Sequence, residues 1–206
     1  MRKFIIGIIV FYIVGCEASR QPEETASQYV EKGKSAVLKG DCALAIKAFT
    51  KAISIDSTAA DTYFNRAYCL ETIGKSKQAL LDYDKAITLN PQFTDAYNNR
   101  GEIKRRLQKD YKGAIKDYSK AIQLDGKVAG IYFNRGLAEV ALEQHDKALA
   151  DFTRTIDLAP TVADAYYNRA ALYWAKDYKE KACQDWAKAY ELGKESSADF
   201  VKKYCL

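Results

Sequence analysis

Cysteine is the residue type whose chemistry is easiest to place in this sequence, which has five: Cys16, Cys42, Cys69, Cys183 and Cys205. A thiol can carry a lipid, form a disulfide or bind a metal. The sequence has no Cys-x-x-Cys spacing and a single histidine, His145, so we expect no metal and no cofactor. It also lacks a nucleophile elbow, a phosphate loop, an HExxH motif and convincingly paired carboxylates. We therefore expect no catalytic residues and no enzyme activity.

Cys16 lies directly after an apolar segment. Two basic residues precede residues 4–14, which are too few for a comfortable membrane span and have the layout of a secretory signal peptide. The segment ends in Ile13-Val14-Gly15-Cys16, which resembles a bacterial lipobox. The resemblance implies that residues 1–15 are a lipoprotein signal peptide and that Cys16 carries diacylglycerol. The alternatives are an uncleaved anchor, or a conventional signal peptide followed by an incidental cysteine.

Lipidation would hold the chain on a membrane. Each buried CH₂ contributes about 0.8 kcal/mol, so two or three acyl chains such as palmitate anchor stably where one does not. Residues 16–25 comprise the lipidated cysteine and a tether: residues 17–25 are polar and contain a proline, and we interpret them as flexible. Glu17 follows Cys16, where enterobacterial lipoproteins retained in the inner membrane have Asp. The resemblance thus favours the outer membrane of a bacterial cell envelope over the inner membrane.

The rest of the chain repeats itself with a period of about 34 residues. Each copy has a tyrosine at its fourth place and a large aromatic residue at its twenty-fourth. The residue at the eighth place is always small. Small residues also occupy the twentieth and twenty-seventh places, which lie on one helical face. Small residues let two antiparallel helices approach closely, with the aromatic residues beside them. We call this contact between the two helices the seam. A bulky residue at Gly101 or Ala114 would overpack the seam at a cost of about 1–3 kcal/mol.

This pattern resembles the tetratricopeptide-repeat family. The resemblance implies an all-α fold, an α-solenoid of tandem helix–turn–helix repeats in which each repeat packs on its neighbours. The five copies cover 26–196, as 26–59, 60–93, 94–128, 129–162 and 163–196. We predict that residues 197–206 form a capping helix over the last apolar face. The third copy has one extra residue near residues 108–110, which we expect to lengthen its inter-helix turn.

Copies two to five carry an arginine at the seventh place and an aspartate at the twenty-third, whereas the first copy has Lys32 and Ala48. The residues concerned are Arg66, Arg100, Arg135, Arg169, Asp82, Asp117, Asp151 and Asp185. Because the two types occur together, we predict Arg–Asp bridges within a repeat or between neighbours. Arginine suits such bidentate pairing. The alternative is that these side chains bind a ligand.

With Cys16 lipidated, four cysteines remain, and an even number in an oxidising compartment permits disulfides with three connectivities. Cys183 lies on the last second helix, and Cys205 lies on the capping helix that should pack against it. Cys42 and Cys69 lie on helices that should also be neighbours. These contacts allow disulfides between Cys183 and Cys205 and between Cys42 and Cys69. The alternative is buried free thiols that pack as small apolar residues.

In the tetratricopeptide-repeat family the first helix of each repeat lines a concave groove. The fifth, ninth and twelfth places form one stripe along that helix. This stripe is polar in the middle copy. In the last two copies it is apolar and aromatic, as binding hot spots tend to be. The predicted groove residues are Phe64, Tyr68, Asn98, Glu102, Arg105, Phe133, Leu137, Tyr167 and Trp174. The alternative for Leu137 and Trp174 is partial burial between repeats.

These features together predict a function in binding. A net charge of +5 without a basic block argues against a nucleic-acid partner. The basic clamp of chaperone-binding family members is not expected, because the matching places hold Val30, Phe64 and Asn98. We predict a lipid-anchored scaffold that binds a protein or peptide partner in its groove and helps to assemble or stabilise a cell-envelope complex. The alternative is a binder of a non-protein envelope ligand such as peptidoglycan or another glycan.

Overall fold

The computed structural model describes residues 24–205, which form an all-helical chain. Cys16, the signal peptide and most of the predicted tether lie outside the described residues, as does Leu206. The α-helices are α1 Ala26–Leu38, α2 Cys42–Ile55, α3 Ala60–Thr72, α4 Ser76–Leu89, α5 Thr94–Ile103, α6 Tyr111–Leu124, α7 Ala129–Ala141, α8 His145–Leu158, α9 Ala163–Ala175, α10 Lys179–Glu191 and α11 Ser197–Tyr204. In this part of the chain, no helix is both long enough and apolar enough to cross a bilayer.

The order of contacts is that of an α-solenoid, as predicted. The two helices of each repeat pack against each other, and each second helix packs against the first helix of the next repeat. The buried core runs along these seams as five clusters, one after another, rather than as one central core. Each repeat is therefore stabilised by its neighbours, as in other solenoids.

Side chains at the turns set where helices begin. Thr25 and Gln28 form a capping box at the start of α1, in which the backbone N–H of Gln28 donates to Thr25 Oγ1 at 3.2 Å. Asp41 accepts from the backbone N–H of Leu44 at 2.9 Å and so begins α2. The preceding residue, Gly40, has φ of 75°, a left-handed conformation that suits glycine.

Close approach of the two helices in a repeat depends on the small residue at the eighth place. At Gly136 an added Cβ would lie 2.9 Å from Cε1 of Phe152, and at Gly101 it would lie 2.9 Å from Cε1 of Tyr118. Both aromatic rings are fully buried. The ring of each second helix therefore packs directly on the backbone of its partner helix, which is the seam that the sequence pattern predicted.

The extra residue of the third repeat does not lengthen the inter-helix turn, so that prediction was wrong. The first helix of this repeat instead continues from α5 into a π-helical turn, Lys104–Gln108. Only residues 109 and 110 then separate it from α6. A wider π-turn takes up one residue without changing the positions of the helix ends. Asp110 can therefore still cap α6, accepting from the backbone N–H of Gly113 at 2.9 Å.

The short helix α11 covers the end of the solenoid, within the segment predicted to cap it. Its Phe200 ring stacks on Trp186 with centroids 4.8 Å apart, and its Tyr204 ring lies 4.6 Å from Trp174. A disulfide joins Cys205, just after α11, to Cys183 in α10, with the Cα atoms 5.5 Å apart. Aromatic packing and a covalent bond thus hold α11 over the last repeat.

Candidate functional site

The arginines at the seventh place and the aspartates at the twenty-third form the predicted bidentate pairs, each within its own repeat. Arg135 Nε donates to Asp151 Oδ2 and its Nη2 donates to Asp151 Oδ1, both at 2.7 Å. The other three pairs, with distances between 2.6 and 2.9 Å, are Arg66–Asp82, Arg100–Asp117 and Arg169–Asp185. All four aspartates are buried. These carboxylates are therefore paired with arginines inside the solenoid and are not free to bind a ligand.

The remaining nitrogen of each arginine reaches back to the second helix of the preceding repeat. Arg66 Nη1 donates to Thr50 Oγ1 at 3.1 Å, and Arg100 Nη1 donates to Asp84 Oδ1 at 2.7 Å. Arg135 and Arg169 contact Ser119 and Thr153 in the same way, both at 3.1 Å. One guanidinium thus links two helices of its own repeat to the repeat before it. These contacts favour the structural interpretation of the arginines over ligand binding.

The predicted groove residues lie on the first helices α3, α5, α7 and α9, with Arg105 in the π-turn. Tyr68 is the most open among them, with 48% of its surface exposed. The others are half-buried. Phe64 lies 4.7 Å from Phe93 between ring centroids, and Phe133 lies 5.7 Å from Phe152. Each of these two rings therefore has one face in the core.

At the C-terminal end of the stripe the aromatic surface is partly covered by other residues of the chain. Tyr167 lies edge-on to Phe200 of α11, with ring centroids 5.8 Å apart. Trp174 packs against both Trp186 and Tyr204, with ring centroids 5.6 and 4.6 Å away. Leu137 packs against the buried cluster around Phe152. The alternative of partial burial therefore holds for Leu137 and Trp174, because the capping helix and the neighbouring repeat occupy the space beside them.

The middle of the groove is a polar cavity of about 300 Å³ between α3 and α5. Its lining residues are Tyr68, Glu71, Thr72, Asn99, Glu102 and Arg106. Two buried tyrosines donate to its carboxylates from below: Tyr83 to Glu71 Oε2 at 3.1 Å and Tyr118 to Glu102 Oε2 at 3.2 Å. Burial, with a smaller contribution from the Glu102 charge, raises the pKa of Glu71.

The π-turn places two arginines over Glu102. Nη2 of Arg105 lies 3.2 Å from both Glu102 carboxylate oxygens, and Nη1 of Arg106 lies 3.5 Å from Oε1. Two buried polar atoms here have no hydrogen-bond partner within residues 24–205, namely Arg105 Nε and Asn98 Oδ1. A buried donor or acceptor without a partner is costly. Neither residue lines the cavity, so these two atoms lie beneath its surface.

Two lining residues, Thr72 and Arg106, were not predicted from the sequence. Each lies one residue away from a stripe position, next to Glu71 and Arg105 respectively. Arg106 reaches Glu102 from within the π-turn, and the sequence does not reveal that turn. Asn99 donates to the hydroxyl of Tyr83 at 3.3 Å across the repeat boundary. In the part of the chain that the structure describes, no group of three or more His, Cys, Asp or Glu could hold a metal ion.

The four cysteines that the structure describes differ in state. Cys183 and Cys205 form the predicted disulfide. For Cys42 and Cys69 the alternative of free thiols holds, because both are free and buried in the cluster between the first two repeats. Burial, followed by the contact with Cys42, raises the pKa of Cys69 to about 12. Oxidation proceeds through the thiolate, so a thiol held protonated in the core forms a disulfide poorly.

Family models match most of the repeated region. Two models described as "Tetratricopeptide repeat" match residues 60–93 and 133–199, and one described as "TPR repeat" matches residues 104–142. Among curated relatives, heat shock protein STI1 of Saccharomyces cerevisiae is 35% identical over 78 residues, which are 37% of this chain and 13% of that protein. The chain thus spans only a small part of that relative.

Solved structures match over a greater length. The crystal structure of MamA superposes with a TM-score of 0.75 and 26% identity, covering 85% of this chain and 95% of that one. YrrB, described as a TPR protein with an unusual peptide-binding site, superposes with a TM-score of 0.75 and 24% identity, over 86% of this chain and 92% of YrrB. The likeness to YrrB shows a shared fold.

Proposed function

The chain belongs to the tetratricopeptide-repeat family, and from this premise we propose that it is a non-enzymatic, lipid-anchored scaffold of the bacterial cell envelope. Its concave groove binds a segment of another protein, and this binding helps to assemble or stabilise an envelope complex. The observation that carries the proposal is the polar cavity between α3 and α5, where the exposed ring of Tyr68 lies beside Glu102 and Arg106.

The groove suits a polypeptide. Tyr68 and the half-buried Phe64 offer apolar contact surface on the α3 side of the cavity, while Glu71, Glu102 and Arg106 offer charged and hydrogen-bonding groups. A bound segment, extended or helical, would pair its polar groups with these side chains of the cavity lining. An aromatic anchor beside satisfied polar contacts is the usual composition of a binding hot spot.

The lipid anchor rests on the sequence around Cys16 and on one structural feature. Disulfides persist in oxidising compartments such as the periplasm, so the Cys183–Cys205 bond supports export of the chain. Glu17 favours the outer membrane. Mass spectrometry of the protein purified from bacterial membranes tests the anchor: the mature chain should begin at Cys16 and carry diacylglycerol. A Cys16→Ser variant should lose that mass and leave the membrane fraction.

The groove is tested by in-cell crosslinking and affinity purification of the intact protein. The informative variant is Tyr68→Glu, which places a charge at the open side of the cavity. Its matched control is Tyr190→Glu, because Tyr190 is also 48% exposed but lies on α10, a second helix. Phe133 and Tyr167 suit this test less well, since both pack into the core and a glutamate there would disturb folding.

We expect a protein partner to be recovered with the wild type and with Tyr190→Glu, and to be lost with Tyr68→Glu. Equal recovery with both variants would refute the groove as the binding site. Recovery of peptidoglycan fragments or another glycan in place of a protein, with the same dependence on Tyr68, would favour the alternative function. Circular dichroism should show unchanged helix content in each variant.

A further inference from the structure

The first repeat differs from the other four on one face. In repeats two to five this face carries the Arg–Asp pair and is covered by the second helix of the preceding repeat, through contacts such as Arg66 to Thr50. In the first repeat the same places hold Lys32 and Ala48. Ala48 has no carboxylate, and Lys32 instead donates a hydrogen bond to Glu24. This face therefore lacks the groups with which repeats bind one another.

The face is an open groove of about 430 Å³ between α1 and α2, which we call the lysine face. Its lining residues are Tyr29, Lys32, Ser35, Ala36, Lys39, Leu44, Lys47, Ala48 and Lys51. Four of these are lysines and none is acidic. Leu44, one of these residues, is 54% exposed. A surface that presents apolar and cationic side chains together is complementary to a layer that has apolar chains beneath anionic groups.

The proposed anchor brings the lysine face close to a membrane. Residue 24 follows Cys16 by 24 − 16 = 8 residues. Even fully extended, eight residues span at most about 28 Å. Lysines within about 10 Å of an anionic surface are attracted to it at 0.1 M salt, because screening acts over that length. The tether is therefore short enough for the lysines to meet lipid headgroups.

We propose that the lysine face docks on anionic phospholipid headgroups, and this proposal rests on the anchor put forward above. The ammonium groups of Lys39, Lys47 and Lys51 pair with lipid phosphates, while Leu44 contacts the acyl boundary. Lys32 contributes less, because Glu24 already neutralises it. Docking fixes the first repeat on the membrane and directs the groove and α11 away from it. Clusters of lysines beside a membrane anchor bind anionic lipids in this way.

The test uses the full lipidated protein in vesicles of phosphatidylcholine alone or with added phosphatidylglycerol. An amine-acylating reagent labels the lysines, and mass spectrometry measures the rate at each one. Two repeat-equivalent lysines in the same molecule serve as controls: Lys85 stands at the place of Lys51, and Lys116 at the place of Lys47. Both controls are exposed on second helices.

We expect labelling of Lys39, Lys47 and Lys51 to be roughly fivefold slower in anionic than in neutral vesicles, and to recover at high salt. Lys85 and Lys116 should react at the same rate in both. If these lysines react as fast in anionic vesicles as Lys85 and Lys116 do, the proposal is overturned. If they react slowly in both kinds of vesicle, the proposal is also overturned, and the result would indicate cover by residues 17–23 or by a second copy of the chain.

A second measurement separates this proposal from the anchor and from the groove. Flotation with neutral vesicles reports the lipid anchor alone, so a chain that fails to float there refutes the anchor. The labelling rates measured with anionic vesicles then still test whether the lysine face binds anionic headgroups. The variant Lys39→Glu/Lys47→Glu should float but lose lysine-face protection at Lys51, and it should still capture the groove partner. The control Lys85→Glu/Lys116→Glu should retain protection.

Discussion

Arg169 and Asp185 form a bidentate ion pair between the two helices of the fifth repeat. Arg169 Nε lies 2.7 Å from Asp185 Oδ2 and its Nη2 lies 2.8 Å from Oδ1. The aspartate side chain is only 9% exposed, and the arginine side chain 15%. The third contact, from Nη1 to Thr153, crosses to the repeat before it. This pair therefore stabilises a helical hairpin and its stacking on the neighbouring hairpin at the same time.

Replacing Asp185 should strongly destabilise the fold. Asp185→Asn keeps the shape of the side chain but leaves the Arg169 charge buried without a counter-charge, at a cost of about 3 kcal/mol. The matched control is Asp146→Asn, whose carboxylate bonds Lys176 at 2.7 Å but is 87% exposed. An exposed ion pair contributes about 0–1 kcal/mol. Urea denaturation followed by circular dichroism measures both, and equal losses would contradict a structural role for the buried pair.

Glu139 should make stability depend on pH. Burial, followed by the nearby Asp151 charge, raises the pKa of Glu139 to about 7. In the unfolded chain the pKa of glutamate is about 4.3. Because the folded state holds the proton more tightly, its stabilising effect is fully present below about pH 4.3 and is lost as pH rises through about 7. The free energy of unfolding should therefore fall across this window.

The variant Glu139→Gln tests this dependence, since it removes the titrating group and keeps its size. Between about pH 5 and pH 8 it should lose less stability than the wild type, by up to about 3 kcal/mol. The control Glu143→Gln, at an exposed place just after α7, should retain the wild-type slope. Urea midpoints at the two pH values give the comparison. An unchanged slope in Glu139→Gln would show that Glu139 is ionised in the folded protein.

Two glycines in α7 should respond in opposite ways to the same substitution. At Gly136, a Cβ would lie 2.9 Å from the buried Phe152 ring, whereas at Gly130 nothing lies within 4 Å. Gly136→Ala should destabilise by about 1–3 kcal/mol through overpacking. Gly130→Ala should stabilise by about 0.5–1 kcal/mol, because alanine favours the helix. Thermal unfolding of the two variants measures the difference. A gain in stability at Gly136 would mean that the seam can widen.

The sequence was sufficient to predict the α-solenoid, because small and aromatic residues must recur in register for each hairpin to pack. The same register located the Arg–Asp pairs. It could not locate the π-turn, since one inserted residue can widen a helix or lengthen a loop without changing the pattern on either side. The polar cavity depends on that turn, which brings Arg105 and Arg106 to Glu102.

The sequence was also insufficient at the C-terminal end of the groove. The stripe positions of Tyr167 and Trp174 are the same whether a partner or the chain itself covers them. How much of each ring stays open depends on the angle at which α11 crosses the last repeat. Likewise, neighbouring positions allowed both disulfides, but bond formation depends on the distance and direction of the two side chains. Of the four cysteines that the structure describes, Cys183 and Cys205 are bonded and the other two are free.

Tryptophan emission should report on the packing of α11 against the last repeat. The chain has two tryptophans, and α11 packs on both, through Phe200 on Trp186 and Tyr204 on Trp174. The Cys183–Cys205 disulfide closes a loop with a sequence separation of 22 residues, and a bond of this loop length stabilises by about 3 kcal/mol. Without it, an eight-residue helix is too short to be stable by itself and depends on the aromatic contacts.

Reduction of the protein, or the variant Cys205→Ser, should therefore release α11 before the repeats unfold. Tryptophan emission should shift to the red, and protease should cut near residue 195, while circular dichroism retains most of the helix content. Adding reductant to Cys205→Ser should change nothing further. The thiols of Cys42 and Cys69 should stay unreactive in the same samples until denaturant is added, because both are buried. If emission is unchanged in both reduced protein and variant, aromatic packing alone holds α11 in place, and the disulfide is not needed to keep the end of the solenoid covered.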